Sequence, residues 1–189
     1  QPTRVIPRKG IELAIELVHQ LNDLPIKLII THPAEHNSQD YLATMLALAD
    51  HKKVHLRYAP QRFKPERATA EDGRKIYSLW DAYIHADFVT YPSLYEGFGN
   101  ALLETIFFRK ALLVNRYSIY QQDIEPTGLD AIVIDGKITD QALAAVREIL
   151  VSPQRRAQMT QHNLEVARKH FSYATAWERL QAVLLSFPH

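Results

Sequence analysis

The chain has 189 residues, which is enough for one domain with a sizeable hydrophobic core. Its net charge of +1 argues against a general nucleic-acid binder, and no apolar run approaches the roughly 18 residues of a membrane span. Cysteine is absent, which excludes disulfides and thiol chemistry and favours an intracellular, cytoplasmic setting.

Strands and helices alternate along the first part of the chain. A short strand is predicted at 4–6, just before Pro-Arg-Lys-Gly. Apolar residues recur at helical spacing over 11–21, and the sequence IKLIIT at 26–31 is typical of a buried strand. A helix at 38–50 and a strand at 54–58 follow. Such alternation predicts parallel strands joined by right-handed crossovers.

The same alternation continues to the end of the chain. Residues 59–72 are predicted to form a long surface loop, of a kind that is usually functional or mobile. The remaining predicted elements are helices at 73–86, 139–151, 153–170 and 173 to about 187, and strands at 88–91, 111–114 and 131–134. The sequence therefore predicts one α/β domain over 1–189, an open doubly wound parallel sheet of about six strands with helices on both faces.

Ligands of such a sheet bind outside the carboxyl ends of its strands. The loop after the strand at 88–91 carries the richest chemistry there. Glu96-Gly97-Phe98-Gly99 precedes a helix that begins near Asn100, and Glu104 lies about one turn into that helix. The glycines let the backbone approach a ligand, and the helix N-terminus favours an anion such as a diphosphate. Two carboxylates that flank an anion site are typical of a nucleotide-sugar site.

The run from Pro92 to Glu104 resembles the E-x7-E signature of retaining, nucleotide-sugar-dependent glycosyltransferases of the GT-B fold, family 4. The resemblance implies the Rossmann-like, donor-binding C-terminal half of a two-domain hexosyltransferase, preceded by an acceptor domain and inactive by itself. The donor would be a UDP- or GDP-hexose, and the acceptor a small polar molecule, a saccharide or a lipid-linked saccharide. No cofactor and no metal are implied, because cations and the helix dipole can neutralise the diphosphate.

The resemblance also implies roles for single residues of the signature. Glu96 would act in catalysis by contacting the donor sugar near its reacting carbon. The stretch Gly97, Phe98, Gly99 and Asn100 would bind the substrate, with amides near Phe98 to Asn100 on the distal phosphate. Glu104 would accept hydrogen bonds from the ribose diol.

Two further segments match the family's donor site. Thr3 to Gly10 resembles an Arg-x4-Lys-Gly element, in which Arg4 and Lys9 would hold the donor phosphates and act with Glu96 in catalysis. Arg8 matches no position of that element and is expected to face solvent. Arg57 and Tyr58 begin the segment that usually binds the nucleobase, but the usual glycine is missing, which leaves the base preference open.

Other interpretations of the sequence stay beside this one. A nucleotide-binding or interaction module without catalysis and a GT-B nucleotide-sugar epimerase are both alternatives. A dinucleotide-dependent oxidoreductase would need Gly-x-Gly-x-x-Gly after the first strand, which this chain lacks. A metal site at His32 and His36 is not favoured, because Pro33 makes a regular helix across them improbable.

Two segments near the end of the chain are also singled out. The polar and aromatic stretch 115–120 either faces the acceptor or forms a surface loop. Trp177 and Leu180 of the last helix are expected to be packing residues rather than ligands, and that helix is expected to cross toward the other domain.

Overall fold

The fold was analysed in a computed structural model that describes residues 1–186. The helices are α1 (Ile11–Gln20), α2 (Gln39–His51), α3 (Leu79–His85), α4 (Asn100–Phe107), α5 (Asp140–Val151), α6 (Pro153–His170) and α7 (Tyr173–Leu185). The strands are β1 (Leu28–Ile30), β2 (Leu56–Tyr58), β3 (Phe63–Lys64), β4 (Ala68–Thr69), β5 (Lys75–Ser78), β6 (Phe88–Tyr91), β7 (Ala111–Asn115) and β8 (Ile132–Ile134). Residue 187, at the end of the last predicted helix, lies outside the described residues.

The predicted α/β class with parallel strands is confirmed. Strands β1 and β2 pair in parallel, with Leu28 opposite Leu56. Strands β6, β7 and β8 form a second parallel sheet in that order. Every residue of β7 is buried, as expected for a central strand covered by helices on both faces.

The strand predicted at 4–6 is wrong. In its place Val5 makes one isolated parallel bridge to Ala34. Pro2 and Pro7 flank this stretch and lack the N–H groups that would extend the ladder. The chain then turns through a short 3-10 helix, Pro7–Lys9, into α1. The parallel strands are consequently divided between two sheets rather than joined in one sheet of six.

The segment between β2 and α3 also differs from its prediction. Instead of one long loop and a helix from Gly73, it contains a small sheet in the order β3-β5-β4. The helix begins only at Leu79, because Ser78 and Asp81 form a capping box that fixes its start. The helix predicted over 73–78 does not form, because β5 pairs with both β3 and β4.

Core packing follows the alternation of side chains along β7. Leu113 points into a cluster with Leu17 of α1 and Val146 of α5. Leu112 points to the opposite face, where it packs with Tyr83 of α3 and other buried side chains. These two layers fix the carboxyl ends of β6 and β7, from which the loops of the candidate site emerge. Within residues 1–186, no helix is both long and apolar enough to cross a membrane.

Candidate functional site

The turn before α1 lies directly against the loop after β6. Gly10 has a left-handed backbone (φ +58°), and a Cβ there would lie 2.3 Å from the carbonyl oxygen of Pro92. The amide of Leu94 donates a hydrogen bond to the carbonyl of Arg8 at 2.8 Å. Only glycine permits this approach without a shift of the backbone. The contact brings Lys9 and Arg8 to the glycine-rich loop.

Glu96 is held by two cations from that turn. Lys9 Nζ bonds one carboxylate oxygen, and Arg8 Nη1 contacts the other at 2.8 Å. The side chains of Lys9 and Glu96 are only 10% and 9% exposed, so water screens this contact little. Arg8 also donates to the carbonyl of Tyr95 and lies over its ring at 5.4 Å from the centroid. The prediction that Arg8 faces solvent is wrong, since its guanidinium reaches the second oxygen of Glu96.

The ionisation of this cluster follows from burial and hydrogen bonding. Burial by itself raises the pKa of Glu96, but hydrogen bonds from Lys9 and Arg8 outweigh it and hold that pKa below its ordinary value. Burial lowers the pKa of Lys9, and the bond to Glu96 opposes this effect. Glu96 is therefore a carboxylate at neutral pH, and its charge is neutralised by neighbours that could also bind an anion.

The glycine loop is shaped by aromatic side chains beneath it. Gly99 has φ +89°, and a Cβ there would lie 2.4 Å from the hydroxyl of Tyr91. The Tyr117 hydroxyl donates to the carbonyl of Phe98 at 3.1 Å. Gly99 is the N-cap residue of α4 and makes no side-chain cap hydrogen bond. The start of α4 thus has the features of an anion-binding helix N-terminus.

Glu104 lies on α4 and is oriented by Tyr83. The Tyr83 hydroxyl donates to Glu104 Oε2 at 2.8 Å. The Tyr83 ring is buried and stacks on Phe108, with centroids 5.1 Å apart. Burial and the bond to Glu104 raise the pKa of Tyr83, so the phenol keeps its proton and remains a donor. One carboxylate oxygen of Glu104 is thereby fixed, and the other stays available as an acceptor.

The other residues predicted for the site are arranged differently. Arg4 pairs with Glu35 at 2.8 Å and is about half exposed, so the structure does not place it on the Glu96 cluster. Arg57 is exposed, whereas the Tyr58 hydroxyl accepts a hydrogen bond from the amide of Ala34 at 2.8 Å. Gly97 and Asn100 are exposed beside Glu96.

The histidines weighed as metal ligands do not converge on a site. His32 lies next to Thr31, with 2.9 Å between its Nδ1 and the threonine hydroxyl. Burial lowers the pKa of His32, which favours the neutral ring. In the part of the chain that the structure describes, no three histidine, cysteine or acidic side chains are grouped as metal ligands would be.

Several residues that build the site were not found by sequence reasoning. These are Arg8, Tyr83 and Tyr91, together with Asn115 and Tyr117 from the stretch left between acceptor site and surface loop. Asn115 is buried, donates to the carbonyl of Ser93 at 3.2 Å and accepts from the amide of Gly136 at 2.8 Å. The surface-loop alternative is wrong for both residues, which support the glycine loop from below. For Asn115 and Tyr117, the sequence signal that could have indicated this role was a polar or phenolic side chain at the end of a buried strand.

Comparisons with known proteins point to glycosyltransferases. No protein-family profile matches the chain. Over 97% of its length the chain is 31% identical to a mannosylglucosylglycerate synthase of Thermotoga maritima, of which it spans 47%. The chain thus spans less than half the length of this curated relative.

Solved structures show the same fold at low sequence identity. Anabaena HepE, crystallised with UDP, matches 98% of this chain with a TM-score of 0.76 and 15% identity, over 48% of that protein. The C-terminal domain of a group 1 glycosyltransferase (LpcC) from Francisella tularensis matches 90% of this chain and 83% of that domain, with a TM-score of 0.68 and 15% identity.

Proposed function

The chain belongs to the group 1, family 4-like glycosyltransferases and corresponds to their C-terminal GT-B domain, and we propose that it binds the nucleotide-sugar donor of a retaining hexosyltransferase. The observation that carries this proposal is the cluster of Lys9, Arg8 and Glu96 beside the glycine-rich start of α4. The turn before α1 and the loop before α4 together supply two cations, a helix N-terminus and a carboxylate. This set suits a ligand that joins a diphosphate to a sugar.

The diphosphate would lie between the turn before α1 and the start of α4. Lys9 would supply a point charge, and the amides from Gly97 to Asn100 would donate to the distal phosphate. Arg4 would join them by leaving Glu35. Because both partners of that pair are about half exposed, breaking it costs little, on the order of 0–1 kcal/mol.

Glu96 would change partners when the donor binds. Lys9 and Arg8 each bond one of its two oxygens. A phosphate that attracts Lys9 would release one oxygen of Glu96, which could then accept a hydrogen bond from a sugar hydroxyl. The charge of the bound phosphate would replace that of Glu96 beside Lys9, so neither group would be left buried and unpaired.

Glu104 would bind the ribose. Tyr83 fixes one of its oxygens, and the carboxylate is only partly buried. A carboxylate that is already oriented in this way suits a diol, because its other oxygen can accept a hydrogen bond at a lower ordering cost. Arg57 and Tyr58, at the end of β2, would lie at the nucleobase. HepE structures contain UDP and UDP-glucose, so UDP is the first nucleotide to test and GDP the second.

Transfer would need a second domain that brings the acceptor. The exposed apolar face of α7 supports this part of the proposal: Tyr173, Trp177 and Leu180 are 96%, 56% and 49% exposed. Side chains of this kind are expected to pack against a partner. Because the relative is a mannosylglucosylglycerate synthase, a glycosylated glycerate is the first acceptor class to test with the longer protein.

The test is calorimetric titration of the chain with UDP, GDP and their hexose derivatives. We expect dissociation constants of tens of micromolar or weaker, which correspond to a binding free energy of about −6 kcal/mol or weaker. The reason is that the bound diphosphate would still face water on one side. Lys9→Met should weaken UDP binding at least tenfold.

Lys52→Met is the matched control, because Lys52 also pairs with a glutamate, Glu16, at 2.7 Å but lies outside the site. It should leave UDP binding unchanged. Absence of binding by every diphosphate at millimolar concentration, or equal losses in the two lysine variants, would contradict the proposal.

A further inference from the structure

His32 lies at the carboxyl end of β1, where the ligands of a parallel sheet bind. Its side chain is half-buried. The segment that follows it is fixed from two sides, because Val5 pairs in parallel with Ala34 and the amide of Ala34 donates to the hydroxyl of Tyr58 at 2.8 Å. The backbone thus holds His32 in the crevice through bonds that do not use its ring.

One ring nitrogen of His32 is engaged, and the other is available. Nδ1 lies 2.9 Å from the hydroxyl of Thr31, which is itself buried. Nε2 makes no hydrogen bond within residues 1–186. A hydroxyl can donate to an unprotonated ring nitrogen and can accept from a protonated one. The ring can therefore gain a proton without losing its bond to Thr31, and Nε2 can act as a donor in both states.

The charges around His32 come from both parts of the candidate donor site. Burial lowers the pKa of His32, and Glu104 of α4 raises it. The amino group of Gln1 lowers that pKa, as do Lys9 and Arg4. His32 thus lies within electrostatic reach of the carboxylate proposed for the ribose and of the cations proposed for the diphosphate. In a nucleotide sugar, the group between the ribose and the distal phosphate is the phosphate bonded to the ribose.

We propose that His32 binds the ribose-bonded phosphate of the nucleotide sugar, donating a hydrogen bond from Nε2 and taking up a proton as the diphosphate enters. This inference rests on the proposed function, because it adds a contact within the same donor site. In the free protein, burial and the cations favour the neutral ring. A bound diphosphate brings negative charge beside Lys9 and Arg4, so these cations no longer oppose a proton on His32.

The affinity for the donor should consequently depend on pH. Binding takes up protons wherever His32 is neutral in the free protein and charged in the complex. The affinity then falls as the pH rises through the pKa that His32 has in the complex. A histidine that only packs against Thr31 would not link donor binding to protons.

The test is calorimetric titration with UDP-glucose at about pH 6, 7 and 8, in two buffers of different ionisation enthalpy. UDP-glucose is the probe because the terminal phosphate of free UDP itself titrates at about pH 6. His32→Ala removes the ring, whereas His32→Gln keeps an N–H donor but cannot take up a proton. The matched control is His51→Gln, since His51 is exposed at the end of α2, near the start of β2 and away from the carboxyl ends of the strands. Thermal unfolding of each variant verifies that it is folded.

We expect the wild type to take up protons and to bind UDP-glucose about threefold or more weakly at pH 8 than at pH 6. His32→Ala should bind about tenfold more weakly than the wild type at the lower pH. His32→Gln should keep more of the affinity than His32→Ala, and both should lose most of the proton uptake. His51→Gln should behave as the wild type.

Equal proton uptake by the wild type and His32→Gln would overturn the proposal, and so would an unchanged affinity in His32→Ala. Both outcomes would leave the proposed function standing, because UDP-glucose would still bind. A wild-type protein that binds no UDP-glucose would instead overturn the proposed function, and the role of His32 with it.

Discussion

The contact between Lys9 and Glu96 provides the sharpest test of how the site is built. Both side chains are about nine-tenths buried, so loss of one partner leaves a charge that water cannot easily reach. Lys9→Met keeps the length and apolar stem of the side chain but removes its charge. Since Arg8 still holds Glu96, we expect a loss of about 1–3 kcal/mol in the free energy of unfolding rather than the full cost of an unpaired buried ion.

A double-mutant cycle separates this contact from general effects of substitution. Glu96→Gln removes the carboxylate charge while it preserves the shape of the side chain. The double variant Lys9→Met/Glu96→Gln should be more stable than the sum of the single losses implies, with a coupling energy of about 0.5–3 kcal/mol. Urea unfolding of the four proteins measures it. Additive single effects, within about 0.5 kcal/mol, would refute the contact as described.

Four further outcomes follow from the structure. Tyr83→Phe should weaken UDP binding several-fold and dUDP binding less, because Tyr83 orients the Glu104 carboxylate, whose other oxygen is assigned to the ribose diol, and dUDP lacks one hydroxyl of that diol; titration with both nucleotides measures this. The low pKa of Glu96 contributes stability that is full above about pH 4.5 and is lost as the pH falls through that pKa, so urea midpoints should fall less steeply in acid for Glu96→Gln than for wild type. Gly99→Ala should destabilise by about 1–2 kcal/mol or more, because φ is +89° and the new Cβ meets the Tyr91 hydroxyl; urea unfolding with Tyr91→Phe added should recover part of that loss. Residues 1–189 alone should transfer no sugar to candidate acceptors, so a coupled assay should detect no release of nucleoside diphosphate. Transfer by these residues would show that the acceptor does not depend on a second domain.

Much of the site was predictable because its chemistry is local in the sequence. The helix that starts at Asn100, the glycines before it and the spacing of Glu96 and Glu104 all lie within one short run. The sequence pattern also predicted β6, β7, α5 and α6 closely, because buried strands and amphipathic helices leave strong patterns. The role of Glu104 on the ribose stays a prediction that the Tyr83→Phe titration tests, and the role of Glu96 on the sugar stays a prediction.

Tertiary structure alone decided which groups meet. Arg8 and Glu96 are 88 positions apart and their contact leaves no periodic signal, so Arg8 was wrongly predicted to face solvent. The strand at 4–6 failed because its ladder depends on neighbours, and prolines on both sides deny it donors. Local patterns specify a helix or a strand because a side chain's spacing is set by its own backbone, whereas ion pairs and sheet pairing depend on groups that only folding brings together.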